Sequence, residues 1–235
     1  NINIAATNPQ QTRLRRALAR EDLFTVVIDL FQTDTADYAD IVLPAASFLE
    51  FDDLTYSYFH LSLGAQVRAL DPPGEALPNQ EIFRKLARAM GFVDPELYEA
   101  DRTILASLLQ QTNTGLTFEE LARRGNVHVA SQTVLQFEDL RFPTPSGRVE
   151  LASDRAAALG LPRLPSLEVD LRPPKGHLRL LSPAGHWLSS SAFGNDPKIV
   201  KRLGLPTIHI HPDDALALGL FNDSYAVAAN DSGRL

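Results

Sequence analysis

FQTDTADYADIVLPAASFLE, residues 31–50, decides the fold. Its first half is polar, with Thr33, Thr35, Asp34, Asp37 and Asp40. Its second half is a short apolar run, Ile41–Leu43, stopped by Pro44. Short polar side chains that bond neighbouring backbone belong in a turn, and a brief β-branched run after it belongs in a sheet. This spacing predicts one helical turn over Thr33–Tyr38 and a buried strand over Asp40–Leu43. In that reading Thr33 and Thr35 bind turn backbone, Asp37 and Asp40 cap or bind locally, and Asp34 and Asp37 are scaffold.

Upstream, Leu23–Asp29 is a second β-branched run and Ile2–Ala6 a short one. Between them Leu14, Ala17 and Leu18 share one helical face of residues 10–20, and Arg13, Arg16 and Arg20 another. Asn8 suits an N-cap and Pro9 a first helical position. Strands joined by helical connections pair in parallel, so the first fifty residues are predicted to be part of an open α/β sheet.

Downstream, Ile82, Phe83, Leu86, Ala87 and Met90 mark one side of a helix over 79–90, ended by Gly91. A second helix is predicted over 101–111, and Thr117-Phe-Glu-Glu120 opens a third through a capping box closed by Gly125. Pro143–Gly147 reads as a turn before a short strand, Arg148–Leu151. The four prolines between Leu161 and Pro174 read as a linker. Beyond it short strands are predicted at Leu178–Leu181, Thr207–Ile210 and Tyr225–Ala229, with helical turns from Pro212 to Leu218 and a closing hairpin turn at Asn230–Gly233.

The chain has 235 residues, enough for two domains, and 44% apolar residues, enough for a core. Its formal charge is 22 − 29 = −7, which argues against a nucleic-acid partner. With no cysteine it supplies no disulfide, thiolate zinc site or cysteine-bound cluster. No apolar run reaches membrane-spanning length. A reducing, cytoplasmic setting is expected, with a periplasmic one left open. Both ends read as cut, so a piece of a larger protein is expected.

The common catalytic signatures, G-x-G-x-x-G, G-x-x-x-x-G-K-[ST], H-E-x-x-H and G-x-S-x-G, are missing from the sequence. His209 and His211 are two apart, as on one strand face, but no third metal ligand accompanies them. The ends of the predicted strands carry more. Ligands bind open α/β sheets at the carboxyl edge, where Thr7, Asn8 and Pro9 follow the first strand and Asp29 ends the second. The helix after Asn8 offers free N–H groups to an anion, and Asp29 could accept from a ribose or a base. A cap for Asn8 and a solvated strand end for Asp29 are the plainer alternatives.

The order strand, Asn-Pro, helix, strand, Phe-x-Thr-x-Thr-Ala, then Ala-Asp-Ile-Val-Leu-Pro and a nearby Glu, resembles the bis-molybdopterin-guanine-dinucleotide oxidoreductases. That family includes dimethyl sulfoxide reductase, formate dehydrogenases and bacterial nitrate reductases. Pro73-Gly-Glu-Ala76 with Asn79, Pro143-Thr-Pro-Ser-Gly-Arg-Val-Glu150, Ile210-His-Pro-Asp-Asp-Ala215 and Asn230-Asp-Ser-Gly233 follow in the family's order. The resemblance implies residues 1–172 as the latter part of a guanosine-binding α/β domain with a helical extension. Residues 175–235 would begin a double-psi β-barrel, of which only the first half is present.

By the same resemblance the intact protein is an oxidoreductase that uses molybdopterin guanine dinucleotide with molybdenum or tungsten. This fragment alone would be inactive. An iron–sulfur cluster and the metal's protein ligand would lie in earlier domains. The partners implied are those remaining domains and an electron-transfer subunit, without membrane insertion. Asn8, Ile28, Asp29 and Asn79 match nucleotide-site positions, Asn79 being equally suited to cap its helix. Ser182, Gly185, His186, Trp187, Ser189, Ser190 and Ser191 match the segment along the pterin. Phe51 stands where some relatives have Lys, and serines replace a common Asn-Ser pair. These departures keep open a non-catalytic assembly module that has lost the cofactor. A nicotinamide- or nucleotide-dependent enzyme is the other alternative, disfavoured by the missing glycine fingerprint.

Overall fold

Asn3 organises the start of the chain. Its carbonyl accepts from the Ala6 and Thr7 amides at 3.1 Å each, and its side-chain Oδ1 accepts from Thr35 Oγ1 at 2.8 Å. The Ala5 amide donates to Thr35 Oγ1 at 3.1 Å, not to a sheet partner. Residues expected as a first strand therefore form a helical turn, α1 (Ile4–Thr7). The computed structural model describes residues 2–129, 135–167, 172–231 and 233–234.

Asn8 follows as the C-cap of α1, not as the cap of the next helix. Gln10 takes a left-handed conformation (φ 57°) and precedes α2 (Gln11–Leu18). Pro9 thus lies outside both helices. Arg15, in α2, donates to the Ala5 carbonyl at 3.2 Å and so binds the two helices together.

β1 (Val26–Asp29) pairs in parallel with β2 (Ile41–Pro44), in the register Val26 with Ile41 through Asp29 with Pro44. The connection holds the predicted turn, a 3₁₀ segment at Ala36–Tyr38. Thr33 Oγ1 accepts from the Ala36 amide at 3.3 Å, and Asp40 Oδ2 accepts from the Thr25 amide at 2.7 Å. The predicted burial of β2 is wrong. Ile41 and Val42 are 44% and 39% exposed, because this sheet has two strands among the described residues. One further rung, a parallel bridge from Ala45 to Leu77, extends the edge.

β3 (Asp53–Ser57) and β4 (His60–Gln66) form an antiparallel hairpin, and β5 (Val127–His128) adds to β4. A Cβ at Gly64 would collide with the Asn126 side chain, so glycine permits that approach. The hairpin tip, Tyr58 and Phe59, is 97% and 96% exposed.

α3 (Asn79–Met90) ends at Gly91 with φ 74°, as its sequence signal requires. Its N-cap is Pro78, which leaves Asn79 as the first helical residue, not the cap. Its apolar stripe divides: Ile82 and Ala87 are buried, whereas Phe83, Leu86 and Met90 are exposed. Buried Arg84 takes an inward place, with Glu81 Oε2 at 3.4 Å and Asp101 Oδ1 at 2.5 Å. The Asp101 hydrogen bond holds the guanidinium's pKa above its usual value. α4 (Asp101–Gln110) buries Leu105 and Leu109, and α5 (Phe118–Arg124) buries Phe118 and Leu121. The capping box of Thr117 and Glu120 is present on both sides.

The chain divides into two compact units, Asn1–Val127 with Pro183–Leu235, and His128–Ser182. In the second, the turn at Pro143–Gly147 forms, with the Gly147 amide donating to Thr144 O at 3.0 Å. No strand follows at 148–151 among the described residues; instead α6 (Asp154–Ala158) is capped by Ser153. Residues 168–171 of the proline-rich segment lie outside the described residues. In 183–234, α7 (Pro197–Leu203) is a helix that the sequence reading did not anticipate, and α8 (Pro212–Ala217) occurs as expected. The strands expected at 178–181 and 207–210 are not formed, and of the one expected at 225–229 only Ala229 is in a strand. Among the described residues there, the paired strands are β6 (Ala229–Asn230) and β7 (Gly233–Arg234), a two-rung hairpin.

Replacing Thr35 with Val should lower stability by about 1–3 kcal/mol, because it strands the buried Ala5 amide and removes one of the two donors to Asn3 Oδ1. The urea midpoint reads this out, and Asp37→Asn should change stability by under about 0.5 kcal/mol. A second expectation concerns pH. The Thr117 amide and hydroxyl hold the Glu120 carboxyl below its ordinary value of 4.5. A depressed folded value means that the cap's contribution is complete above that pH and fades as pH falls through the folded value. The α5 amide signals should therefore fray in acid, and Glu120→Gln should remove that pH dependence.

Candidate functional site

The carboxyl edge of β1 and β2 gathers several of the predicted residues. Asp29 ends β1 and is half-buried. Its carbonyl accepts from the Ala45 amide at 3.0 Å, and Leu77 O accepts from the Ala46 amide at 2.8 Å. Leu77 leads directly through Pro78 into α3, whose leading amides lack intrahelical acceptors. Backbone bonding thus places Asp29 and Asn79 along one edge. Asp29 Oδ1 accepts from the Leu30 amide at 2.7 Å. Ile28 is half-buried in β1, in register with Leu43.

The loop at 185–195 reaches the same edge. Asn195 Nδ2 donates to the Gln32 carbonyl at 2.6 Å, three residues beyond Asp29. Within the loop the Leu188 amide donates to Gly185 O at 3.3 Å and the Ala192 amide to Ser189 O at 2.9 Å. Ser190 adopts a left-handed conformation (φ 54°) between them. The Trp187 indole is 40% exposed. The His186 ring stands at 85° to it with centroids 4.8 Å apart, and the Arg202 guanidinium lies 4.5 Å from the indole centroid. Ser191 is half-buried; Ser182 belongs to the other compact unit.

Asn8 sits at a different point, exposed at the end of α1. Gln11 Nε2 donates to Asn8 O at 2.6 Å, while Gln11 Oε1 is buried with no hydrogen-bond partner. Beside it, Gln10, Thr12, Arg13, Arg16 and Asp231 line a depression of about 290 Å³. A Cβ at Gly233 would lie 2.9 Å from Thr12 Oγ1, so the β6–β7 hairpin approaches α2 through a glycine.

Gln11, Gln32, Asn195 and Arg202 were not read from sequence. Asp196-Pro197 was a usable signal for α7, since Asp196 Oδ1 accepts from the Lys198 amide at 2.7 Å and Pro197 opens the helix. The contact of Asn195 with Gln32 had no local signal. His211 Nδ1 accepts from the Asp213 amide at 3.3 Å and caps α8. No group of three or more His, Asp or Glu residues at metal-binding distance occurs among the described residues. No described helix is long and apolar enough to cross a membrane.

A two-stranded parallel edge with an acid, a helix start and an aromatic loop beside it is the arrangement of an α/β protein that gathers polar groups at its carboxyl edge. The chain belongs to the molybdopterin oxidoreductases, and residues 2–89 match the family model described as "Molybdopterin oxidoreductase". It is 34% identical to a probable oxidoreductase, YoaE, of Bacillus subtilis over 98% of this chain and 34% of that protein. It is 29% identical to a putative catalytic polypeptide of dimethyl sulfoxide reductase from Halobacterium salinarum, over 96% of this chain and 28% of that one. For the alpha chain of the F420-dependent formate dehydrogenase of Methanocaldococcus jannaschii the figures are 28%, 99% and 34%. Acetylene hydratase from Pelobacter acetylenicus has a similar fold, with a TM-score of 0.56 at 24% identity over 93% of this chain and 31% of that one. The chain therefore spans about a third of the length of these relatives.

Removing the Asn195 side-chain donor should loosen the loop. Asn195→Ala should raise hydrogen exchange at the Ala192 and Gly194 amides about fivefold, the equivalent of one ordinary hydrogen bond of about 1 kcal/mol. Unchanged exchange would mean that the loop is held by other contacts.

Proposed function

We propose that this chain holds the guanosine end of a molybdopterin guanine dinucleotide at the carboxyl edge of β1 and β2, with the pterin along residues 185–191. The observation that carries the reading is the meeting of Asp29, the start of α3 and the 185–195 loop around residues 29–32, through Ala45, Leu77 and the Asn195–Gln32 bond. Asp29 Oδ2 has no hydrogen-bond partner among the described residues. Guanine presents N1–H and an exocyclic amine side by side, and a carboxylate accepts both; adenine lacks that pair. The exposed part of Trp187 offers a surface to a planar ring, and Ser189, Ser190 and Ser191 offer hydroxyls. The cationic Arg13 and Arg16 beside α2 would suit an anionic group, whereas the buried Gln11 Oε1 is an acceptor and would take a donor. The donor and acceptor set thus suits the cofactor.

When bound, the cofactor supplies two-electron redox chemistry at molybdenum or tungsten; the residues of this chain bind and orient it. On this reading 1–172 is the latter part of a guanosine-binding domain with a helical extension, and 175–235 the first half of a double-psi barrel. The partners are the remaining domains of one enzyme and an electron-transfer subunit, in the cytoplasm or the periplasm. The reading assigns these residues to the cofactor, not to the substrate: relatives named for formate, nitrate and dimethyl sulfoxide share the segment. The fragment alone would be inactive. The second reading, a module without cofactor, is supported by Phe51 and by the serine substitutions.

In the intact enzyme, Asp29→Asn should weaken cofactor retention about tenfold or more. It removes a charged hydrogen bond of roughly 1.5–3 kcal/mol and turns a donor toward guanine's donors. Guanosine monophosphate released by acid hydrolysis after dilution measures the retained cofactor. Asp37→Asn, whose side chain accepts from Gln32 Nε2 at 2.8 Å, should retain it as wild type does. Equal retention in Asp29→Asn rejects the role of Asp29, and no release from wild type favours the module.

A further inference from the structure

Arg202 lies in the last turn of α7 and is exposed. Among the described residues it makes no ion pair or hydrogen bond, and its contact is with the Trp187 ring at 4.5 Å. A guanidinium without a carboxylate partner, stacked on an indole, is a cation–π contact of the kind that fixes an aromatic ring. His186 also stands against Trp187, and 40% of the residue's surface is open. The loop is tied at its far end by Asn195 to Gln32. At the near end Arg202 ties the indole to α7.

We infer that Arg202 is a positioning residue acting through Trp187: it holds the indole in one orientation and so presents the ring's open surface and the adjacent serines to whatever the loop takes. The ligand side of this inference rests on the assignment of the loop to the pterin made above; the clamp itself does not. Arg202 reaches the loop from α7, and α7 in turn is set by the Asp196 cap.

Trp187 is the one tryptophan in the 235 residues. In protein labelled with 5-fluorotryptophan, its fluorine resonance is assigned by its loss in Trp187→Phe. Arg202→Leu keeps the apolar stem and removes the cation; the line should shift and broaden. Arg202→Lys keeps the charge without the planar face and should fall between. Circular dichroism and the melting temperature report whether α7 survives. If Arg202→Leu unfolds the chain, Arg202→Lys at an unchanged melting temperature must still move the line. In the cofactor-loaded intact enzyme, Arg202→Leu should retain about two- to fivefold less cofactor after dilution, the range that follows from an exposed cation–π contact. An unmoved line in a folded variant overturns the clamp and leaves the loop assignment standing. A moved line with unchanged retention overturns the ligand role together with the assignment of the loop to the pterin.

Discussion

Asn3 and Thr35 are each less than a tenth exposed, and they satisfy one another across 32 residues of chain. Buried polar atoms must find partners, and here the partners are also position markers. Thr35 Oγ1 donates to Asn3 and accepts from Ala5, so α1 is locked to the turn between β1 and β2. Asn3 Nδ2 adds a bond to Asp34 at 3.1 Å, and Arg15 stands 3.8 Å from the same carboxylate. With α1, α2 and the turn held together, the turn's first residues have one path. Gln32 lies on it, offering its carbonyl to Asn195. The polar excess of residues 31–40 is thus mostly internal wiring, and Asp29, just before it, bonds through one carboxylate oxygen, as Asp37 and Asp40 do.

The helices show how one face can serve two purposes. α3 puts Ile82 and Ala87 inside but fills another inward position with Arg84, which is usable because Glu81, Asp101 and the Glu99 carbonyl take up its donors. Its Phe83 and Met90 stay exposed, as do Ile41 and Val42 of the sheet. An apolar stripe in sequence is therefore a sum of inward positions and open apolar surface, and periodicity does not separate them.

What was legible in the sequence follows from the range of the physics involved. Helices over 79–90, 101–110 and 118–124, the parallel pair at residues 26–29 and 41–44, and the Thr117 capping box rest on neighbours a few residues apart, and each occurs. Ile2–Ala6 did not read correctly because its amide at Ala5 is taken by Thr35, thirty residues away. The strands expected at 178–181 and 207–210 found no second edge among the described residues. Of the candidate site, Asp29 and Asn79 could be placed from strand and helix ends. Gln32, Asn195 and Arg202 could not, since each acts through a distant partner.

The Asn195–Gln32 bond joins residues 163 apart, and residues 128–182 form a separate compact unit within that interval. Closing so long a loop carries a large entropic cost before any contact repays it. Local pieces such as the β3–β4 hairpin and α5 need no such closure and form early. Joining the 185–195 loop to the chain beyond β1 is therefore entropically costlier than forming those local pieces.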